Sequence, residues 1–459
     1  VNSKQREKEL LKKEAVNCSY GDTVHYADNP QIFERSEGHY LYDIHGKAYL
    51  DLQMWYSAVN LGYGHKKIND AVKNQIDRLP QLACQYLHAE KIDLAAAINQ
   101  RTQDAYGQKG RVHFNVGGSQ AVEDSLKLVR KTTGRSRMFA FQGSYHGRTL
   151  AATELTSSYR YRRPYGNFPN RAHFVPYPYC FRCPYGKKFD SCGYYCVDQF
   201  EKQFETEYYS FWDNKGKECE FAAFYVESVQ GTGGYIVPPA EYFKRLQAIL
   251  KRYNILLVDD EIQVGMFRTG KFWAMEHFGA KPDIVVFGKA LTNGLNPLSG
   301  IWAKEELIGP DKFPAGSTHS TFSSNTIGTA AGLAVMKTFE DENIGKQVME
   351  KGKKFLAMLK KLQKRHKEIG DVSGLGLTMR IEVCKPDGYT PDRELTDRIF
   401  QEGLEGSFTY RGRKYGLVLD VGGYYKNIFT LAPSFYITDD EIQMSYEFLD
   451  QLFTKCKKR

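Results

Sequence analysis

Between about residue 65 and residue 330, short runs of apolar, β-favouring residues alternate with helical stretches, and this alternation limits the fold more than any other feature of the chain. The runs are Val112-His-Phe-Asn, Arg137-Met-Phe-Ala-Phe, Ala222-Ala-Phe-Tyr-Val, Ile255-Leu-Leu-Val and Ile284-Val-Val-Phe, and the helices between them include 120–133 and 240–253. Strands that are apolar along their length are buried on both faces. Alternated with helices, they form a mostly parallel sheet covered by helices. An α/β large domain over 65–329 is therefore expected. Residues 1–64 hold a polar helix and a hairpin in which Tyr40/Tyr42 and Tyr49/Leu50 flank a His-Gly turn. That segment is too small to stand alone. It is expected to pack with a smaller α+β domain over 330–459, which begins with a helix over 330–340, continues with a long basic helix and includes the strand Thr378-Met-Arg-Ile-Glu-Val.

Composition narrows the function classes. Charged residues make up 25% and hydrophobic ones 42%, which excludes wholesale disorder. No run reaches the roughly 20 apolar residues that span a bilayer, and the polar, Glu-rich start lacks the apolar stretch of a secretory signal; a soluble, cytoplasmic protein is expected. The net charge of +9, from 63 basic and 54 acidic residues, gathers in tracts such as 351–365. There Phe355, Leu356, Leu359 and Leu362 recur at helical spacing, so the charge is the solvated face of a surface helix. No nucleic-acid recognition motif accompanies it. Four of the nine cysteines, Cys180, Cys183, Cys192 and Cys196, fall in one tract. Their spacing can supply a tetrathiolate zinc site or belong to a Tyr- and Cys-rich surface insertion with reduced thiols, and the sequence does not choose.

Open parallel sheets place their sites at the carboxyl ends of strands. After the first run comes Val116-Gly-Gly-Ser before a helix, where free N–H groups favour an anion. After the second comes Gly143-Ser-Tyr-His-Gly-Arg, an aromatic on a loop. After the fourth come Asp259-Asp-Glu, and after the fifth Gly288-Lys-Ala. Each piece alone has a plain structural reading: Asp260 as a helix cap, Lys289 as a surface residue, Tyr145 as packing. Together they supply an anion cradle, an aromatic plate, a carboxylate and a lysine, each at a strand end, which is what a phosphate-bearing pyridine aldehyde requires.

The chain resembles the class III aminotransferases of pyridoxal phosphate fold type I. The resemblance rests on Tyr145-His-Gly-Arg-Thr-Leu, Glu227-Ser-Val-Gln-Gly-Thr-Gly-Gly, Leu257-Val-Asp-Asp-Glu-Ile-Gln-Val-Gly-Met-Phe-Arg-Thr-Gly-Lys, Pro282-Asp-Ile-Val-Val-Phe-Gly-Lys and Ser320-Thr-Phe-Ser-Ser-Asn. It implies a seven-stranded, mostly parallel large domain and a small domain built from both termini. It also implies pyridoxal 5'-phosphate as cofactor. Lys289 would hold the cofactor and then move the substrate proton, a dual use that suits a partly desolvated amine. Asp260 would keep the pyridine nitrogen protonated, Tyr145 would stack on the ring, and Gln263 would reach the phenolic oxygen. Gly118 and Ser119 would bind the phosphate, Glu227 would stand near the cofactor, and Thr321 would reach the phosphate of a neighbouring subunit in a homodimer with shared sites.

Departures from the family pattern bear on the substrate. Many members that use 2-oxoglutarate carry a glutamate and an arginine where this chain has Thr232 and Thr430. Losing both together is consistent, because either left alone is an unpaired buried charge costing about 3–5 kcal/mol. Gly117 and Gln120 also depart, without affecting a backbone role. Tyr56-Ser-Ala-Val-Asn resembles the ornithine aminotransferases, in which this Tyr and the Arg matching Arg148 hold an α-amino-carboxylate; Arg148 has an equal claim to brace its loop. Trp55 and the stretch around Tyr424 suggest an aromatic wall. Asp420 is either a group that attracts a cationic tail or a turn acid, and Arg380 is a further candidate for a carboxylate. The expected activity is transfer of a primary, terminal amino group from an amine or amino acid to a 2-oxo acid. An amino-acid racemase or epimerase of the same family is the alternative, and a silent scaffold is disfavoured by the presence of Lys289, Asp260 and Tyr145 together.

Overall fold

The computed structural model describes residues 2–21, 30–166, 168–169 and 171–457. The chain opens with a helix, Ser3–Asn17, capped by the Asn2 side chain and with no buried residue. Three strands follow: β1 (Phe33–Glu37), β2 (Tyr40–Asp43) and β3 (Ala48–Asp51). The central strands are β4 (Gly110–Asn115), β5 (Arg137–Phe141), β6 (Ala172–Val175), a ribbon of β7 (Trp212–Asp213) and β8 (Glu218–Cys219), then β9 (Phe221–Val226), β10 (Leu256–Asp260), β11 (Ile284–Phe287) and β12 (Ser299–Lys304). After two helices, Thr326–Asp341 and Ile344–Arg365, come β13 (Ile369–Leu375), β14 (Thr378–Val383), β15 (Phe408–Tyr410), β16 (Arg413–Val418), β17 (Val421–Gly422) and β18 (Ile428–Leu431).

Seven strands form the central sheet in the order β4-β12-β11-β10-β9-β5-β6. All run parallel except β12, which is antiparallel to both β11 and β4. Side chains alternate across a strand, and here both faces are apolar. Phe139, Phe141, Leu257, Val285 and Phe287 join one core with the helix Tyr242–Arg252, while Met138, Ala140, Val258, Ile284 and Val286 join a second with the helix Gly118–Thr133. This accounts for the unbroken apolar runs. The strand expected over 255–258 covers Leu256–Asp260, so Asp260 is its last residue.

The N-terminal hairpin is completed by the far end of the chain. β3 pairs in parallel with β16, giving a five-stranded sheet in the order β1-β2-β3-β16-β15. A four-stranded sheet, β13-β14-β18-β17, lies alongside in sequence. The expected break at 329/330 falls inside the helix Thr326–Asp341, which packs on the helices Lys66–Arg78 and Ala89–Tyr106. Among the described residues no helix is long and apolar enough to cross a membrane.

The cysteine tract has a structural anchor. Arg182, between Cys180 and Cys183, bonds the buried Glu382 of β14, as does the Tyr179 hydroxyl. Arg380 joins the same group. It is buried, donates to Asp371 Oδ2 at 2.5 Å and to Ser373 Oγ at 2.9 Å, lies 3.2 Å from Glu382, and sits 4.8 Å from the Tyr179 ring centre. Its charge is spent on this cluster, so it is not the substrate-carboxylate ligand that its sequence position suggested. The four thiols line one small cavity of about 20 Å³ and are all free. Burial pushes Cys180 up to about 11 and Cys196 up to about 12, each with help from neighbouring thiols. Among the described residues no group of three or more His, Cys, Asp or Glu side chains is disposed to hold a metal ion.

Candidate active site

A cavity of about 620 Å³ opens at the carboxyl ends of the parallel strands, within the usual range for small-molecule sites, ~300–1,000 Å³. Gly118, Ser119, Tyr145, Glu227, Asp260, Gln263 and Lys289 all line it, together with Tyr56 and Arg148. These residues are far apart in sequence, and the sheet order brings them together.

The anion end is the start of the helix Gly118–Thr133. Its N-cap is Gly117 and no side chain caps it, so the first N–H groups face outward without intrahelical partners. A Cβ on Gly147 would collide with Ser119, and one on Gly118 would come 2.9 Å from Ile262 Cδ1. Backbone and side chains thus form a close-walled cradle. Ser119 Oγ accepts the Arg148 N–H at 3.2 Å.

At the end of β10, strand alternation sorts three adjacent acids. Asp260 enters the cavity, whereas Glu261 is turned into the core, where it accepts the Met275 N–H at 2.9 Å. Burial and the Glu261 charge push Asp259 well above the carboxylate range. Asp260 Oδ2 is 2.8 Å from His146 Nδ1, and its Oδ1 accepts the Ile262 N–H at 3.1 Å. Burial opposes a charged imidazole at His146, but the hydrogen bond and charge of Asp260 prevail and its pKa is raised. His146 Nε2 is a buried nitrogen without a partner among the described residues.

Glu227 carries two backbone bonds: Oε1 accepts the Tyr145 N–H at 2.9 Å and Oε2 the Gly231 N–H at 2.8 Å. It thereby fixes the loop that presents the Tyr145 ring. Burial lifts its carboxyl to about 7, with His146 opposing and Asp260 adding to the rise. Gln263 Nε2 donates to Tyr235 OH at 3.0 Å. Lys289 follows β11 with a left-handed φ of 41°. Burial lowers its pKa, against the opposing pull of Asp260, Glu227 and Asp420, so the neutral amine is made more accessible.

These features fit a pyridoxal phosphate: an uncapped helix start for the phosphate, a carboxylate held by a buried histidine for a pyridinium, an aromatic ring, and an amine of lowered basicity. Lys289 would hold it covalently, and Asp260, Tyr145, Gly118 and Ser119 would seat it.

The substrate side departs more from expectation. Met54, Trp55, Tyr56 and Ser57 have φ of 44°, 51°, 55° and 66°, a left-handed turn without glycine that costs about 1–2 kcal/mol per residue. Asp51 pins its entry, accepting the Gln53 and Met54 N–H groups at 2.7 and 2.9 Å and the Tyr63 hydroxyl at 2.7 Å. The turn sends Met54 into the core and Tyr56 to the cavity. Trp55 is 56% exposed, lies against Gly294, and does not line the cavity. Arg148 lines the cavity with its guanidinium 4.2 Å from the Tyr161 ring centre. It thus faces both the aromatic ring of the neighbouring loop and the cavity. Thr321 is exposed and outside its own chain's cavity.

Thr232 lines the cavity, and Thr430 Oγ1 donates to Asp420 Oδ2 at 2.5 Å. Asp420 also lines the cavity, so it is more than a turn acid. His146 stands beside Tyr145 in the sequence, where no local pattern marks its contact with Asp260. Ile262, beside Asp260, also lines the cavity, and Arg160, Tyr161, Arg393 and Lys426 reach it from other segments.

Residues 23–453 match the family model described as aminotransferase class-III. The chain is 32% identical over 449 residues to an alanine/serine racemase of Pyrococcus horikoshii, covering 97% of this chain and 90% of the relative. It is 31% identical over 454 residues to a 5-aminovalerate aminotransferase of Pseudomonas aeruginosa, covering 98% and 99%. An amine transaminase structure from an uncultivated Pseudomonas species, in its PLP-bound form, superposes with a TM-score of 0.83 at 26% identity, covering 96% of this chain and 97% of that one.

Proposed function

The chain belongs to the class-III aminotransferase family and uses pyridoxal phosphate, and on that premise we propose that it transfers a primary, terminal amino group from an amine or amino acid to a 2-oxo acid. The observation that carries this reading is the amine of Lys289 and the His146-braced carboxylate of Asp260 in one cavity at the strand ends.

Bound there, pyridoxal phosphate supplies a carbonyl carbon for the substrate amine and a ring that accepts electrons from the adjacent carbon. The protein's own residues do the rest. The helix start at Gly118 and Ser119 orients the phosphate. Asp260 Oδ2, held by His146 Nδ1, keeps a negative charge where a ring proton needs one. Glu227 ties the loop bearing Tyr145 to its own turn by accepting the Tyr145 and Gly231 N–H groups. Lys289 Nζ takes the proton from the substrate carbon that bears nitrogen. Moving it off that carbon, with water then releasing the oxo product, would leave the amino group for a 2-oxo acid to take up by the reverse steps, whereas returning it to either face of the same carbon would give racemisation. Thr321 of a second copy would complete the phosphate site in a homodimer.

The racemase alternative is favoured by one observation: Thr232 and Thr430 lack the charged pair that manages a dicarboxylate, which a racemase has no need of. The experiment that separates the two uses cofactor-loaded protein mixed with single amines and amino acids, without an oxo acid. Release of about one carbonyl product per site, with loss of the visible band of the bound cofactor, is expected. Inversion of the amino acid with the band retained would replace the first reading with the second.

A further inference from the structure

Amino and oxo acids bring a carboxylate into the cavity, and position 430 offers it no cation. The Thr430 hydroxyl is spent on Asp420, so that wall presents a carboxylate. Apart from the reacting lysine, four cations line the cavity: Arg148, Arg160, Arg393 and Lys426. Three are engaged. Arg148 lies over the Tyr161 ring, Arg160 donates to Tyr161 OH at 3.0 Å, and Arg393 pairs with Asp397 at 3.5 Å one helical turn on.

Lys426 differs. Among the described residues its ammonium makes no ion pair within 4.0 Å and no hydrogen bond. Burial lowers its pKa; Tyr161 opposes this, Arg160 and Arg393 add to it, and Asp420 offsets part. Its position is fixed by the backbone. It ends the tight loop between β17 and β18, donates its N–H to Gly423 O at 3.2 Å, and has a φ of 54°, which residues with a side chain rarely adopt. This is a cation held at the cavity wall with no ion-pair or hydrogen-bond partner among the described residues.

We propose that Lys426 binds the substrate carboxylate in place of an arginine at position 430, and that Asp420 on the neighbouring wall turns away a second carboxylate, so that the substrates are monocarboxylic. An ammonium is a compact point charge, without the planar fork that grips two oxygens at once, and it suits a single small carboxylate. This rests on the reading of the substrates as amino and oxo acids.

The test is calorimetric titration of the cofactor-loaded enzyme with propionate, with its uncharged counterpart propionamide and with glutarate. The same titrations are made on Lys426→Met and Lys426→Arg, the cofactor's visible band verifying that each variant is loaded. The wild type is expected to prefer propionate over propionamide by on the order of 10- to 100-fold, the worth of one charge-assisted hydrogen bond, and to bind glutarate no better than propionate. Lys426→Met loses the preference and Lys426→Arg keeps most of it. A propionate preference that survives Lys426→Met, or tighter binding of glutarate than propionate, overturns the assignment. If no amine or amino acid alters the wild-type cofactor, it is the proposed function that fails, independently of these titrations.

Discussion

Lys289→Ala is expected to lower kcat by at least ~10³-fold, the loss that follows from removing a positioned proton-transfer group. The amine stands immediately after β11 with a left-handed φ of 41°, so the backbone aims it into the cavity. Burial depresses its pKa, and the neutral form is the one that takes a proton. No other lysine among the cavity residues stands at a strand end; Lys426 enters from a hairpin loop of the small sheet. The variant should still bind the cofactor without a covalent link, because the helix start, Tyr145 and Asp260 are untouched. Added methylamine should restore part of the rate by supplying a diffusible base. Steady-state rates with and without methylamine check this, and a kcat within tenfold of wild type would remove Lys289 from the proton transfer.

Asp260→Asn is the second large effect, with kcat expected to fall on the order of 10²–10³-fold, as for removal of one preorganised electrostatic group. The amide preserves shape and can still accept the Ile262 N–H, but it carries no charge. Two consequences follow from the 2.8 Å contact with His146 Nδ1. The site loses the negative charge that favours a protonated ring nitrogen. The imidazole also loses the partner that overcomes its burial, so its pKa should fall from a raised value to below the ordinary one. NMR titration of His146 reports the second effect separately from turnover. A large kcat loss with an unmoved His146 pKa would mean that the pair does not act as described.

The parts of this site that were legible in the sequence are those whose geometry is local. An apolar run followed at once by Gly-Gly-Ser, by Asp-Asp-Glu or by Gly-Lys places its functional group at a strand end whatever the neighbouring strands do, and Gly118, Asp260 and Lys289 were found that way. β12 escaped because Ser299–Lys304 carries no chemistry and runs against the sheet, so nothing in its pattern marks it as a partner of β4 and β11. Trp55 lies outside the cavity of its own chain for a different reason. Its neighbours form a left-handed turn with no glycine to announce it, and that turn points adjacent side chains to core, solvent and cavity in succession. Arg380 looked available because a sequence does not show Asp371 and Glu382 closing around it. Lys426 and Arg393 are the clearest omissions. They come from the segment beyond 390, and only its packing against the strand ends brings them to the cavity.

The most direct test of the account is to reduce the cofactor-loaded protein with borohydride, digest it, and map the pyridoxyl mass by peptide sequencing in the mass spectrometer. The account predicts one modified residue, Lys289, at close to one label per chain and absent from Lys289→Ala. A label on another lysine, or none on a protein that shows the bound cofactor's visible band, would contradict it.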